Sequence, residues 1–151
     1  MSTRQVFEHR ISISATASTV EQSLTQPELM HRWLNPALRC EPIGDWSTDL
    51  GARSRFIIRI PLWQPALVST VVERQPGLVV WGFDGFFRGQ DRWECCPTPE
   101  GTELLNRFEF EVPNPLVQAG FNWFAADWTA RDMAAQLRRL KQVAETLQNR
   151  C

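Results

Sequence analysis

Residues 130–145, ARDMAAQLRRLKQVAE, carry the periodicity from which the fold can be read. Met133, Leu137, Leu140, Ala144 and Leu147 recur at steps of four, three, four and three. That spacing keeps side chains on one face of an α-helix. Traced backwards, the stripe passes through Ala130, Ala126, Trp123 and Ala119, and its side chains become mostly small. The pattern predicts one long helix over roughly residues 115–148, packed tightly through its second half. Small residues under the first half leave volume there, which points to a pocket. Val117, Phe121, Phe124 and Trp128 fall nearly opposite the stripe, on a side that becomes Arg131, Ala135, Arg138 and Gln142 further along. Three explanations stay open for them: a partner, homodimer or membrane surface, cover from a loop such as residues 61–66, or a phase slip near Gly120.

The stretch before this helix alternates with the period of strands. Phe7, His9, Ile11 and Ile13 share one face of a first strand, and Ser18 or Thr19 can cap a short helix carrying Val20 and Leu24 inward. Pro27 opens a second short helix with Leu29, Met30 and Trp33. Residues 52–60 set Ser54, Phe56, Ile58 and Ile60 against Arg53, Arg55, Ile57 and Arg59. Strands over 66–74 and 78–84 flank the turn signal Gln75-Pro76-Gly77. Residues 87–96 place Phe87, Gly89, Asp91, Trp93 and Cys95 on one face; after a turn between Pro97 and Gly101, residues 102–112 return with Leu104, Asn106, Phe108, Phe110 and Val112 inward. One strand, two small helices, a run of strands and one long helix argue an α+β fold, an antiparallel sheet covered by a helix.

The composition removes several classes of function. A chain of 151 residues fits one domain, 1–151, and a net charge of −1 gives no general attraction to nucleic acid. There is no run of eighteen apolar residues, so a transmembrane segment is not expected. The opening MSTRQVFEHR is polar and leads into a strand, unlike a signal peptide. Cys40, Cys95, Cys96 and Cys151 show no C-x-x-C spacing, and His9 and His31 are the sole histidines, so no metal site and no cofactor is expected. Reduced thiols and a cytoplasmic location are the default. Seven Trp and nine Phe with no Tyr supply aromatic bulk with few polar handles.

Three segments together resemble the START/Bet v 1-like (SRPBCC) superfamily, which includes polyketide cyclase/dehydrase and lipid-transport relatives. They are ISISATASTVEQSLTQPELMHRWL (11–34), GQDRWECCPTPEGTELLNRFEFE (89–111) and ARDMAAQLRRLKQVAE (130–145). The resemblance implies a helix-grip fold: a curved antiparallel sheet of six to seven strands around the long C-terminal helix, with two short helices after the first strand. A hydrophobic cavity would lie between sheet and helix. The seventh strand would fall near Cys40 to Trp46. The superfamily has no shared catalytic motif, so none is carried over.

Among inward-facing residues, His9, Asp91 and Asn106 are polar. An Asp–His pair could do general acid–base work, since imidazole changes charge near neutral pH. A polar cluster could instead orient an apolar ligand, and the bland alternative is satisfaction by backbone or water. Phe56, Ile58, Trp81, Phe83, Trp93, Phe108, Phe110, Trp123, Ala126, Ala130 and Met133 would line the cavity with Asp91 and Asn106, and Asp127 would face its entrance. Arg53, Arg55 and Arg59 read as a solvated face.

Three functions compete. The first is binding or transport of a small hydrophobic molecule, such as a lipid, a polyketide-like aromatic or an isoprenoid. The second is a cyclase or dehydratase in which His9 and Asp91 act as base and acid. The third is an interaction module, with a homodimer through Phe124 and Trp128 as one form. The absence of Tyr and the sparse polar inner wall favour the first.

Overall fold

A computed structural model describes residues 4–59, 66–85, 87–111 and 126–150, with side chains in the last segment from Thr129 onward. The alternating stretches form seven strands: β1 (Gln5–Ile13), β2 (Leu38–Pro42), β3 (Arg53–Ile58), β4 (Ala66–Gln75), β5 (Leu78–Asp84), β6 (Arg88–Thr98) and β7 (Gly101–Glu111). They make one antiparallel sheet in the order β1-β7-β6-β5-β4-β3-β2. Between β1 and β2 stand α1 (Ala17–Thr25) and α2 (Pro27–Trp33); the long C-terminal helix is α3 (Ala126–Asn149). This is the α+β helix-grip arrangement expected from the sequence, with β2 as the seventh strand. Any helix before Ala126, and with it Val117, Ala119, Phe121, Trp123 and Phe124, lies outside the described residues.

Short-range chemistry sets the boundaries. Thr16, not Ser18 or Thr19, caps α1: its backbone is extended and its Oγ1 accepts from Thr19 N at 3.2 Å. β1 has already ended at Ile13. That leaves Thr16 as the last extended residue before the helix, the position from which a hydroxyl reaches the first-turn amides. Pro27 stands at the start of α2, where its missing N–H costs nothing. Gly77, with φ at +78°, closes the β4–β5 turn, and Glu21 of α1 accepts from its N–H. Glu21 also pairs with the half-buried Arg74 at 2.6 Å, which ties α1 to that hairpin.

The core sits between the sheet and the second half of α3. Met133, Leu137, Leu140 and Ala144 are buried, Leu147 is half-buried, and Val143 adds a residue beside the stripe. Leu137, Leu140, Val143 and Ala144 join Ile13, Leu104 and Cys95 from the sheet and Val20, Leu24, Met30 and Trp33 from the short helices in one core. Polar fastenings surround this contact. Lys141 Nζ donates to Ser12 O (2.6 Å), and Glu145 and Gln148 accept from the main-chain N–H groups of Ser14 (2.9 Å) and Thr16 (3.0 Å). On the other side, Arg139 Nε donates to Trp33 O, and Asp132 accepts from Asn35 Nδ2. Burial pushes the Cys40 and Cys95 thiols up to about 11 and about 12, so both are inert at neutral pH.

Truncating Leu140, which has no exposed surface, removes a keystone of this contact. Leu140→Ala is expected to cost ~2–5 kcal/mol in urea unfolding. Gln142→Ala, on the exposed side of the same turn, should stay within ~0.5 kcal/mol. Equal losses at the two positions would contradict the packing described.

Candidate ligand site on the concave face

Strand register places the inward residues in rows across the sheet. One row runs Val71, Trp81, Asp91, Phe108, Phe7; the next runs Val79, Trp93, Asn106, His9. Asp91 therefore has Trp81 and Phe108 as cross-strand neighbours and Trp93 two residues along its own strand. Among the described residues its carboxylate is held by two neutral donors: Asn106 Nδ2 to Oδ1 at 2.7 Å and Trp93 Nε1 to Oδ2 at 2.9 Å. Asn106 Nδ2 also donates to Arg92 O at 3.2 Å, which fixes the amide. The residue as a whole is half-buried, yet desolvation outweighs both hydrogen bonds and pushes the Asp91 carboxyl up to about 6. Burial favours the uncharged form; the two donors pull the other way without restoring an ordinary value.

His9 lies opposite Asn106, one strand further out, and its buried Nδ1 has no hydrogen-bond partner among the described residues. Asp91 thus bonds to Asn106 and Trp93 rather than to His9. Ser69 Oγ, facing inward beside Phe83, is a second buried group without a partner among the described residues.

The aromatic residues divide into two groups. Trp81 and Trp93 belong to the main core, where the Trp33 and Trp93 rings lie 5.3 Å apart. Phe83 and Phe110 form a separate cluster with the half-buried Phe7, Leu67, Phe87 and Phe108. Its rings stack or tilt at 4.8–5.9 Å, including Phe83 on Phe108 and Phe7 on Phe110. Of the residues singled out from sequence, Phe83, Asp91, Trp93, Asn106, Phe108 and Phe110 are brought together. Phe56 and Ile58 lie on β3, where Phe56 packs against the main core. Met133 is buried and Ala130 half-buried on α3. Trp123 and Phe124, and the side chains of Ala126, Asp127 and Trp128, lie outside the described residues. Phe7 and Phe87 were missed as site residues, although Phe7 shares a strand face with His9 and Phe87 shares one with Asp91.

Gly89 stands where the sheet has no room for a side chain. A Cβ at this position would run into the Glu109 carbonyl and Phe110 Cα, so β6 and β7 approach each other closely beside the phenylalanine cluster. On the opposite, outer face lies an open depression of about 600 Å³ around Gly82, bordered by Arg53, Thr70, Val72 and Gln90.

The raised Asp91 carboxyl links stability to pH. The folded chain holds this proton more tightly than the unfolded one. Its contribution is therefore fully present below the unfolded value near 3.8 and is lost as pH rises through about 6. Compared with Asp91→Asn, the natural protein is expected to lose roughly 2–3 kcal/mol between pH 4 and 7, at ~1.4 kcal/mol per tenfold change in proton affinity. Urea midpoints taken across that range would show parallel profiles if Asp91 titrated normally.

Solved structures share this architecture. TTHA0849 from Thermus thermophilus superimposes with a TM-score of 0.77 at 14% identity, over 95% of this chain and 99% of that one. CV1439 from Chromobacterium violaceum gives 0.72 at 14% identity, over 93% and 97%. Ara h 8.0201, a Bet v 1-type allergen, gives 0.67 at 9% identity, over 99% and 100%. At such identities the likeness is one of fold. No curated protein matches in sequence. The sequence pattern of the polyketide cyclase/dehydrase and lipid transport family matches residues 4–145, and the chain belongs to that family.

Proposed function

We propose that this protein binds a small, mostly apolar molecule on the concave face of the sheet, at the end away from the tightly packed half of α3. One observation carries the reading: a cluster of five phenylalanines and Leu67 set apart from the main core, four of whose six members keep partial exposure, next to the hydrogen-bonded Asp91 and Asn106. Small-ligand sites are mostly apolar with a few placed polar groups, and the inventory here has that form. Membership of a family described by cyclase, dehydrase and lipid-transport activities supports the same reading. Phe83, Phe108 and Phe110 would contact the apolar body, with Asp91 and Asn106 orienting its polar end. Among the described residues no helix is long and apolar enough to cross a membrane.

A second reading, a cyclase or dehydratase, draws on Asp91 alone. A carboxyl that titrates near neutral pH can both give and take a proton, as general acid–base chemistry requires. His9 would supply the opposite role only if a substrate bridged it to Asp91.

Native mass spectrometry of protein purified from its own host separates these readings. A co-purified apolar molecule that leaves unchanged on release supports the binder, and one converted on incubation supports the enzyme. Phe108→Ala is expected to lower occupancy at least ~10-fold, since a buried ring contributes ~1.5–3 kcal/mol. A bare mass, together with failure to bind any apolar dye, would remove the proposal.

A further inference from the structure

From the surroundings of Asp91 we infer that the ligand of the concave face is an organic cation: an apolar or aromatic body bearing a protonated amine or quaternary ammonium group. This rests on the binding function proposed above and adds the charge of the ligand to it.

The geometry is that of a carboxylate set among aromatic side chains with no cation beside it among the described residues. Along its row Asp91 stands between Trp81 and Phe108, and Trp93 lies beside it on the same strand face. Both oxygens are occupied by neutral donors, the Asn106 amide and the Trp93 indole. No Lys, Arg or His pairs with it among the described residues. The contrast with the outer face is sharp. There Arg92, the next residue, is clasped by Glu73 and Glu94, and Arg107 by Glu8 and Glu109. Acid–base pairing is thus used freely on the outside of β6 and β7, and is withheld at the one carboxylate facing inward from these two strands.

An unpaired carboxylate in a partly desolvated, aromatic setting is costly to the folded protein. Its proton affinity records that cost, since the carboxyl titrates near 6. The two neutral donors hold the oxygens in place and leave further lone pairs free to accept. A ligand cation would supply the missing countercharge, and the half-buried ring of Phe108, next to Asp91 in the row, suits it in a second way, because ring quadrupoles attract cations. A carboxylate or phosphate ligand would meet repulsion at the same point. A neutral alcohol would gain one hydrogen bond and nothing from the rings.

The test is a matched set of probes with one apolar body: 2-naphthylmethylammonium, 2-naphthylmethanol and 2-naphthoate, titrated at pH 7.5 by calorimetry. The ammonium is expected to bind at least ~10-fold more tightly than the alcohol, and the carboxylate most weakly. Asp91→Asn should bring the affinities of the ammonium and the alcohol to within about threefold of each other. If that variant does not fold, the order of affinities in the natural protein decides by itself. Equal binding of all three, or preference for the alcohol or the carboxylate, overturns the cation and leaves the apolar site standing. Binding of none of the three overturns both.

Discussion

The structure depends on the burial of one stripe of the C-terminal helix in the curve of the sheet. Leu140 and Ala144 have no exposed surface and Leu137 almost none, so this contact excludes water over two turns of helix. Everything else is arranged around it. Lys141, Glu145 and Gln148 capture main-chain groups where β1 gives way to α1. At the end of α2, Arg139 captures the Trp33 carbonyl and Asp132 the side-chain amide of Asn35. These bonds are individually modest, on the order of 1 kcal/mol each. Their importance lies in direction, because they stop the helix from sliding or rotating on an otherwise non-directional apolar surface.

A helix fixed at one end leaves the other end of the sheet to be finished differently. There the concave face carries phenylalanines that pack mainly on one another, with Gly89 permitting β6 and β7 to close up beside them. Asp91, Trp93 and Asn106 stand at the border between the two regions. A carboxylate at such a border is costly, and among the described residues no Lys or Arg pairs with it. Replacing the trio by apolar residues of similar size would be expected to stabilise the fold, as it often does for buried polar groups.

Much of this was legible in the sequence because both periods are strong. The two-residue alternation in 87–111 assigned Asp91, Asn106, Phe108 and Phe110 to one face, and the structure has them there. The stripe from Met133 to Ala144 was equally plain, since it faces one continuous apolar surface. Less was legible where local geometry decides. Thr16 rather than Ser18 or Thr19 is the cap because it keeps an extended backbone that brings its hydroxyl within reach of the Thr19 amide. Asp91 and Trp93 are two apart on one strand face, a spacing that sets an indole N–H beside a carboxylate, and that signal was available but not used. The division of the aromatic residues into a core set and a separate phenylalanine set could not be read from strand patterning. It depends on which strand positions the helices meet, a tertiary contact that the alternation does not record.

The central claim is that an apolar molecule is held at the border marked by Asp91. The most direct measurement is an NMR titration with an apolar probe that follows the indole N–H of Trp93 and the side-chain amide of Asn106. Both signals are predicted to move together and saturate, while the indole N–H of Trp46, bonded to Thr25 O on the far side of the core, stays still. Movement confined to Thr70, Gly82 and Gln90, which border the depression on the outer face, would place the ligand elsewhere and contradict the account.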